Sequence, residues 1–316
     1  MAYTSGNAIE AAHYNGFATS VNALWGTGTT NRGLGQSTVV AAVSAGDTVS
    51  AAQWSTLLDR IRSLSDQYGT DGSITVDTVT NPSAGGTVSA FTTIAADIAT
   101  VDTAAIAVAS APPGHPGAVT NTPSQAGLFK VLLTQTDTLT FASANAMRYF
   151  FNAGGKVEIS GDLASPTLGT KATEWDNLLA ACGTYQIFNT TSGKSGGSGT
   201  VTTNNTNAGF WDLSTSPTVL FKQNEDSSPY TANYWQITGT LDAAPGSSTV
   251  LTIAVTWNDV AAETAFDAQA GSDANTTADF VDGTKTTLFS YAASNTTYIS
   301  AEWGTPVWSN TVNTVS

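Results

Sequence analysis

Few side chains in this sequence could do chemistry, and they are scattered. The chain has two histidines, His13 and His115, and one cysteine, Cys182. A Ser-His-Asp or Cys-His arrangement needs an imidazole held beside a nucleophile by a third group. His13 falls near a helix start and His115 in a Pro/Gly loop, so both read as structural. Cys182 sits on the apolar face of a short predicted helix and reads as a small core residue. Asp267, Asp273, Asp279 and Asp282 gather in DAQAGSDANTTADFVDG (267–283). Oxygen-rich loops can hold calcium, but this spacing departs from the EF-hand pattern, and a solvated acidic loop is the simpler reading. Paired carboxylates for glycoside cleavage are not identifiable among 24 acids without geometry. The loop GTGTTNRGLGQST (26–38) lacks the Gly-Lys-Ser/Thr ending of a phosphate cradle and follows a helix rather than a strand. Trp175, Trp211, Trp235, Trp257, Trp303 and Trp308 include possible sugar-stacking platforms, although tryptophans in a β-rich body are mostly core or interface anchors. No catalytic residue, metal ligand or cofactor is assigned, and the expectation is a non-enzymatic protein.

Composition narrows the class. Of 316 residues, 41% are hydrophobic but only 11% charged, well under the usual ~25%, with Thr, Ser, Asn and Gly in place of surface Lys and Glu. The length fits about two domains at ~150 residues each. The net charge is −14, and no Lys or Arg occurs between Arg62 and Lys130. Nucleic acid and anionic membrane surfaces require clustered cations, so both are disfavoured as partners. No run approaches the ~18 apolar residues of a membrane span. One cysteine allows no internal disulfide. The opening MAYTSGNAIE shows no signal-peptide pattern, although the composition is of an exterior type; release by cell lysis, as for a phage particle, reconciles the two. The Asn-x-Thr sequons at Asn189, Asn204, Asn275 and Asn295 then reflect composition rather than glycosylation.

The elements that would position these residues fall into three stretches. In 1–70, SAAQWSTLLDRIRSLSDQY (50–68) places Trp54, Leu57, Leu58, Ile61, Leu64 and Tyr68 on one helical face, with Ser50 and Gln53 as a capping box and Gly69 as the stop. An earlier helix carries Tyr14, Phe17, Val21, Leu24 and Trp25 on one face before Gly26. Seventy residues make a small core, so this stripe is expected to pack on copies of the chain or on another protein. Tyr14, Phe17, Leu24, Trp25, Trp54, Leu57, Leu58, Ile61 and Leu64 are the candidate docking residues. Residues 71–127 read as a connector, with a strand at SITVDTVT (73–80) and a Pro/Gly linker at 111–127. Residues 128–316 read as an antiparallel β-sandwich or barrel. Strands are expected at 128–134, 138–143, 156–160, 184–188, 218–223, 234–241, 249–257, 286–292 and 297–303, with one helix at 173–182. TSGKSGGSGTVTTNNTNAG (191–209) reads as an exposed, mobile contact loop.

MRYFFNAGG (147–155) puts three aromatics in a row. Tyr149, Phe150 and Phe151 could not all point inward from one regular strand, so the run reads as β-core plus subunit interface, closed by a hairpin turn at Asn152-Ala153-Gly154-Gly155. MRYFFNAGGKVEIS (147–160) resembles a segment of virion structural proteins of tailed phages infecting cyanobacteria. So, in order, do EWDNLLAACGT (174–184), FWDL (210–213), SSPYTANYWQI (227–237), TIAVTWND (252–259) and FVDGT (280–284). YNGFATSVNALWGTGTTNRGLGQS (14–37) and GDTVSAAQWSTLLDRI (46–61) resemble another such segment. The resemblance spans about two-thirds of the chain and leaves out 71–127. It implies a neck, tail or fibre component of the virion, assembled as a homo-oligomer (trimer favoured) with other virion proteins. The alternatives are a receptor-binding protein for host-surface glycan and a polysaccharide-degrading tailspike. No catalytic residue transfers with it.

Overall fold

The computed structural model describes residues 9–29, 31–86, 88, 91–106, 115, 117–129, 131–166, 169–260 and 281–315. The chain forms two compact units. One takes Met1–Gly117, Ser143–Gly155 and Ala293–Gly304; the other takes Ala118–Ala142, Lys156–Ala292 and Thr305–Ser316. This division differs from breaks at 70 and 127, because two later stretches return to the first unit.

The first unit is helical. Helices α1 (Ala11–Trp25), α2 (Ala51–Tyr68) and α3 (Phe91–Ile106) pack together. The expected capping box is present: Ser50 Oγ accepts from the Gln53 N–H at 3.3 Å, and the Ser50 N–H donates to Gln53 Oε1 at 2.8 Å. Gly69 stops α2 in the left-handed region at φ 73°. Trp54 of α2 meets Tyr14 and Phe17 of α1 at 6.1 and 6.3 Å, and Phe91 of α3 at 5.8 Å. Asn15 and Asn22 lie two turns apart on α1 and replace a strand partner for the segment that follows. Asn22 exchanges two bonds with the Val40 backbone (2.9 and 2.8 Å), and Asn15 exchanges two with Val43 (2.8 and 2.8 Å). Val40 and Val43 are thereby held inward while Ala41 and Ala42 face solvent.

Two expectations fail in this unit. The alternation in 73–80 does not make a strand. Thr75–Thr78 is a 3-10 turn, because the buried Asp97 carboxylate of α3 accepts from the Thr75 and Val76 N–H groups at 3.1 and 2.9 Å. Nor do Tyr149, Phe150 and Phe151 lie on a strand. They belong to helix α4 (Ala144–Asn152), whose start is capped by Ser143 Oγ accepting from the Ala146 N–H at 3.1 Å. All residues from Ala146 to Asn152 are buried, which a helix enclosed on every side permits and a half-covered strand does not. The sequence Asn152-Ala153-Gly154-Gly155 ends this helix rather than closing a hairpin.

Among the described residues, the second unit is an antiparallel sandwich of two six-stranded sheets, not a closed barrel. One sheet runs β1 (Ala118–Asn121), β11 (Thr284–Ala292), β4 (Lys156–Ala164), β5 (Thr184–Ile187) and β6 (Ser192–Ser195), with β2 (Ser124–Gln125) also on β11. The other runs β12 (Val307–Val315), β3 (Leu132–Thr140), β10 (Val250–Asn258), β9 (Tyr234–Leu241), β8 (Thr218–Asn224) and β7 (Val201–Asn204). Helix α5 (Gly169–Cys182) lies against β4. Alternation is strict in the central strands: Leu251, Ile253, Val255 and Trp257 of β10 are buried, as are Trp235, Ile237 and Leu241 of β9. The sheets meet through Tyr185 against Phe221 at 5.5 Å and through Gln135, which accepts from Thr287 Oγ1 at 2.6 Å.

The expected strand at 297–303 is absent; Ala293–Gly304 belongs to the helical unit. The stretch at 191–209 is not a simple loop, since it contributes β6 and β7. The connector 71–127 holds helix α3, and its stretch read as linker, 111–127, holds β1 and β2.

Candidate functional site

The candidate docking face is closed within its own unit. Tyr14, Leu24, Trp25, Trp54, Leu57, Leu58, Ile61 and Leu64 are buried and Phe17 is half-buried. Helix α3 packs on both α1 and α2, with Phe91 against Phe17 and Trp54 at 5.6 and 5.8 Å. Tyr149, Phe150 and Phe151 are likewise interior. The Tyr149 ring lies over Gly35, where a Cβ would stand 2.4 Å from it. Phe150 and Phe151 meet edge-on at 5.0 Å.

Side-chain amides and one guanidinium stitch the returning stretches to the helices. Gln67 Nε2 donates to Ala153 O at 2.8 Å and to Ser294 Oγ at 2.9 Å. Gln36 exchanges two bonds with the Ser300 backbone at 2.9 and 2.8 Å. Asn152 Nδ2 donates to Gly33 O at 3.0 Å, and Arg148 donates to Thr27 O at 2.7 Å. The Gly-rich loop 26–38 is thus a receptor for α4, with its carbonyls directed at the helix. Asn152 reads in the sequence only as a hairpin-turn residue, and Gln36 and Gln67 carry no periodic signal there.

The scattered reactive groups stay apart. His13 stacks on Phe91 at 5.5 Å, and His115 Nε2 lies 2.9 Å from Gly154 O. Cys182 is buried, and burial pushes its thiol up to about 12, against a lowering by Lys194, so it is not a thiolate nucleophile. Asp267, Asp273 and Asp279 lie outside the described residues, and Asp282 is buried. Among the described residues no group of three His, Cys, Asp or Glu is placed to share a metal, and no helix is long and apolar enough to cross a membrane. Trp175, Trp235, Trp257 and Trp303 are buried, which removes them as sugar platforms. Trp211 and Trp308 are half-buried, and Trp308 donates from Nε1 to Val119 O at 3.2 Å.

Three features remain. The first is a hollow of about 260 Å³ on the outer face of the β11-β4-β5-β6 sheet, lined by Glu158, Ser160, Thr184, Gln186, Leu288 and Ser290 among others. Register puts Ser290, Glu158 and Gln186 in one cross-strand row and Leu288, Ser160 and Thr184 in the next. Glu158 Oε1 is held by Lys156 Nζ at 2.7 Å and Gln186 Nε2 at 2.6 Å. Such a hollow offers hydroxyls, one amide and one carboxylate to a small polar ligand. The second is the outer edge of β12, which pairs only with β3 among the described strands. It has a bulge between Asn310 and Val312, exposed valines at both ends and no ionisable side chain. The third is a buried ion pair, with Lys171 Nζ 2.5 Å from Asp259 Oδ2 and side chains 3% and 0% exposed. The sequence does not pair these two residues: it shows only that Lys171 precedes Trp175 by one helical turn and that Trp257 and Asp259 alternate along one strand side.

Compared with protein-family models, with curated proteins and with solved structures, the chain matches none of them.

Proposed function

We propose that this chain is a non-enzymatic structural component of a tailed-phage virion, an oligomeric connector or fibre protein of the neck or tail. Assembled in the host cytoplasm and released by lysis, it would contact copies of itself and other virion proteins. The observation that carries this reading is the β12 edge. A nine-residue edge strand normally carries charges or proline that deter a further strand. Here VWSNTVNTV carries neither, in a chain of net charge −14, and Val307 is 60% exposed. Among the described residues, the protection it shows is the bulge at its centre. In a like-charged population, an uncharged edge is where two molecules approach at least electrostatic cost, and strand addition supplies the contact. The sequence resemblance to virion proteins supports the same reading and favours a trimer.

Immuno-electron microscopy of intact particles, with antibody against residues 128–316, tests it. Label at the head–tail junction or along the tail is expected, and particles without label would overturn the virion assignment. The hollow around Glu158 supports a second reading, recognition of host-surface glycan. That reading expects label at distal fibre tips and loss of adsorption, with assembly intact, for Glu158→Ala.

A further inference from the structure

The Lys171–Asp259 pair is unusual in its surroundings. Trp175, one turn after Lys171 on α5, stacks on Trp257, which precedes Asp259 on the β10 chain, with ring centroids 5.8 Å apart. Phe129 closes both rings edge-on at 5.7 and 6.5 Å. Trp175 and Trp257 are themselves only 2% and 0% exposed. The Asp259 N–H donates to Val131 O at 2.8 Å, which extends the β10–β3 pairing and fixes the carboxylate on its strand. Two opposite charges are therefore held in contact between rigid elements, away from the water that would otherwise stabilise each of them.

We infer that Lys171 and Asp259 condense to an intramolecular amide. One proton passes from the ammonium to the carboxylate, giving an amine facing a carboxylic acid without drawing on solvent. The nitrogen lone pair attacks Asp259 Cγ, which lies at most one C–O bond beyond the contacting oxygen, and the C–N bond forms. A second nitrogen proton goes to the departing hydroxyl, the C–O bond breaks and one water leaves. Two hydrogens and one oxygen are lost from a neutral pair, and no oxidant, metal or cofactor enters the balance. In water such a condensation is opposed by the hydration of both ions and by the loss of translational freedom. Here both side chains are already withdrawn from solvent and in contact, an arrangement in which effective molarities of about 10⁵–10⁸ M are reached. The product also removes two buried charges. It ties α5 to the end of β10, a covalent brace for a chain whose single cysteine makes an internal disulfide impossible.

The test is the intact mass of the purified full-length chain, read against Lys171→Met after correction for the residue exchanged. The wild type is expected to be lighter by one water, and proteolysis should yield a branched peptide joining Lys171 to Asp259. In Asp259→Asn the same attack would expel ammonia, so that variant should be lighter by one ammonia instead. A wild-type mass equal to the unmodified sequence, or a water loss mapped to other residues, overturns the inference whether or not the variants fold. Neither result bears on particle location, so this inference and the virion assignment fail separately.

Discussion

The helical unit and the sandwich solve the same problem in opposite ways. The sandwich is held by ladders whose partners follow from alternation, with Trp235 opposite Trp257 and Leu241 opposite Leu251 in register. The helical unit is collected from three separated stretches, and amide side chains provide its long-range stitches: Gln36 to Ser300, Gln67 to Ala153 and Ser294, Asn152 to Gly33. Backbone ladders spread cohesion over many equivalent bonds. Side-chain stitches concentrate it in a few buried groups, each costly to orphan. The helical unit should therefore be the more sensitive of the two to single substitutions.

The largest expected effect is that of Phe150→Ala. Removing a fully buried ring should cost about 3–5 kcal/mol. Fluorescence of Trp25 and Trp54 would report loss of the helical unit, while the buried Cys182 thiol should stay unreactive toward alkylating agents because the sandwich persists. If Cys182 became reactive in the same transition, the two units would melt as one and the contrast would collapse. Gln67→Ala should cost less, about 1–3 kcal/mol, since it strands the Ala153 carbonyl and removes a partner of Ser294. Chemical denaturation should show the loss in the helical transition alone.

The smallest effect lies in the sandwich and depends on pH. Burial is the largest single influence and raises the Asp242 carboxyl, but hydrogen bonds from Ser248, Val250 and Thr249 together outweigh it and hold the group down at about 2 against an ordinary 3.8. A depressed carboxyl contributes stability above its unfolded value that is lost as pH falls through the folded one. Protection factors for amide exchange at Thr249 and Val250, corrected for the intrinsic pH dependence, should fall between about pH 4 and pH 2. The rest of β10 should stay protected. A fall in protection along the whole strand would mean that this turn, and not the ladder, secures β10.

Much of the sandwich was legible because its elements are locally overdetermined. YWQITGTL (234–241) is β9 residue for residue, and the alternating residues of 249–257 form β10 displaced by one position. Helix α2 was legible for the same reason, with stripe, cap and stop in agreement. Helix α3 carried a signal that its Ala/Thr-rich composition obscured: Ile94, Ile98, Val101 and Ala105 recur at helical spacing and are its buried face. β6 and β7 were hidden in a Gly/Ser-rich run because edge strands need only backbone partners. There, Tyr185 Oη and Ser192 Oγ pair at 2.6 Å, and Ser192 Oγ donates to Asn205 O at 2.6 Å.

Sequence by itself determined the class of the protein: a low-charge, mainly β chain with an N-terminal helical segment and no local constellation of catalytic residues. Period, caps and turn residues are properties of neighbouring positions, and they act whatever the rest of the chain does. Tertiary structure alone decided that Tyr149-Phe150-Phe151 would be helical, that the presumed docking stripe would be covered, and that Lys171 would meet Asp259. Each of those outcomes depends on groups brought together from distant parts of the chain. A run of aromatics tolerates helix or strand, and the choice falls to whichever surroundings can bury every ring.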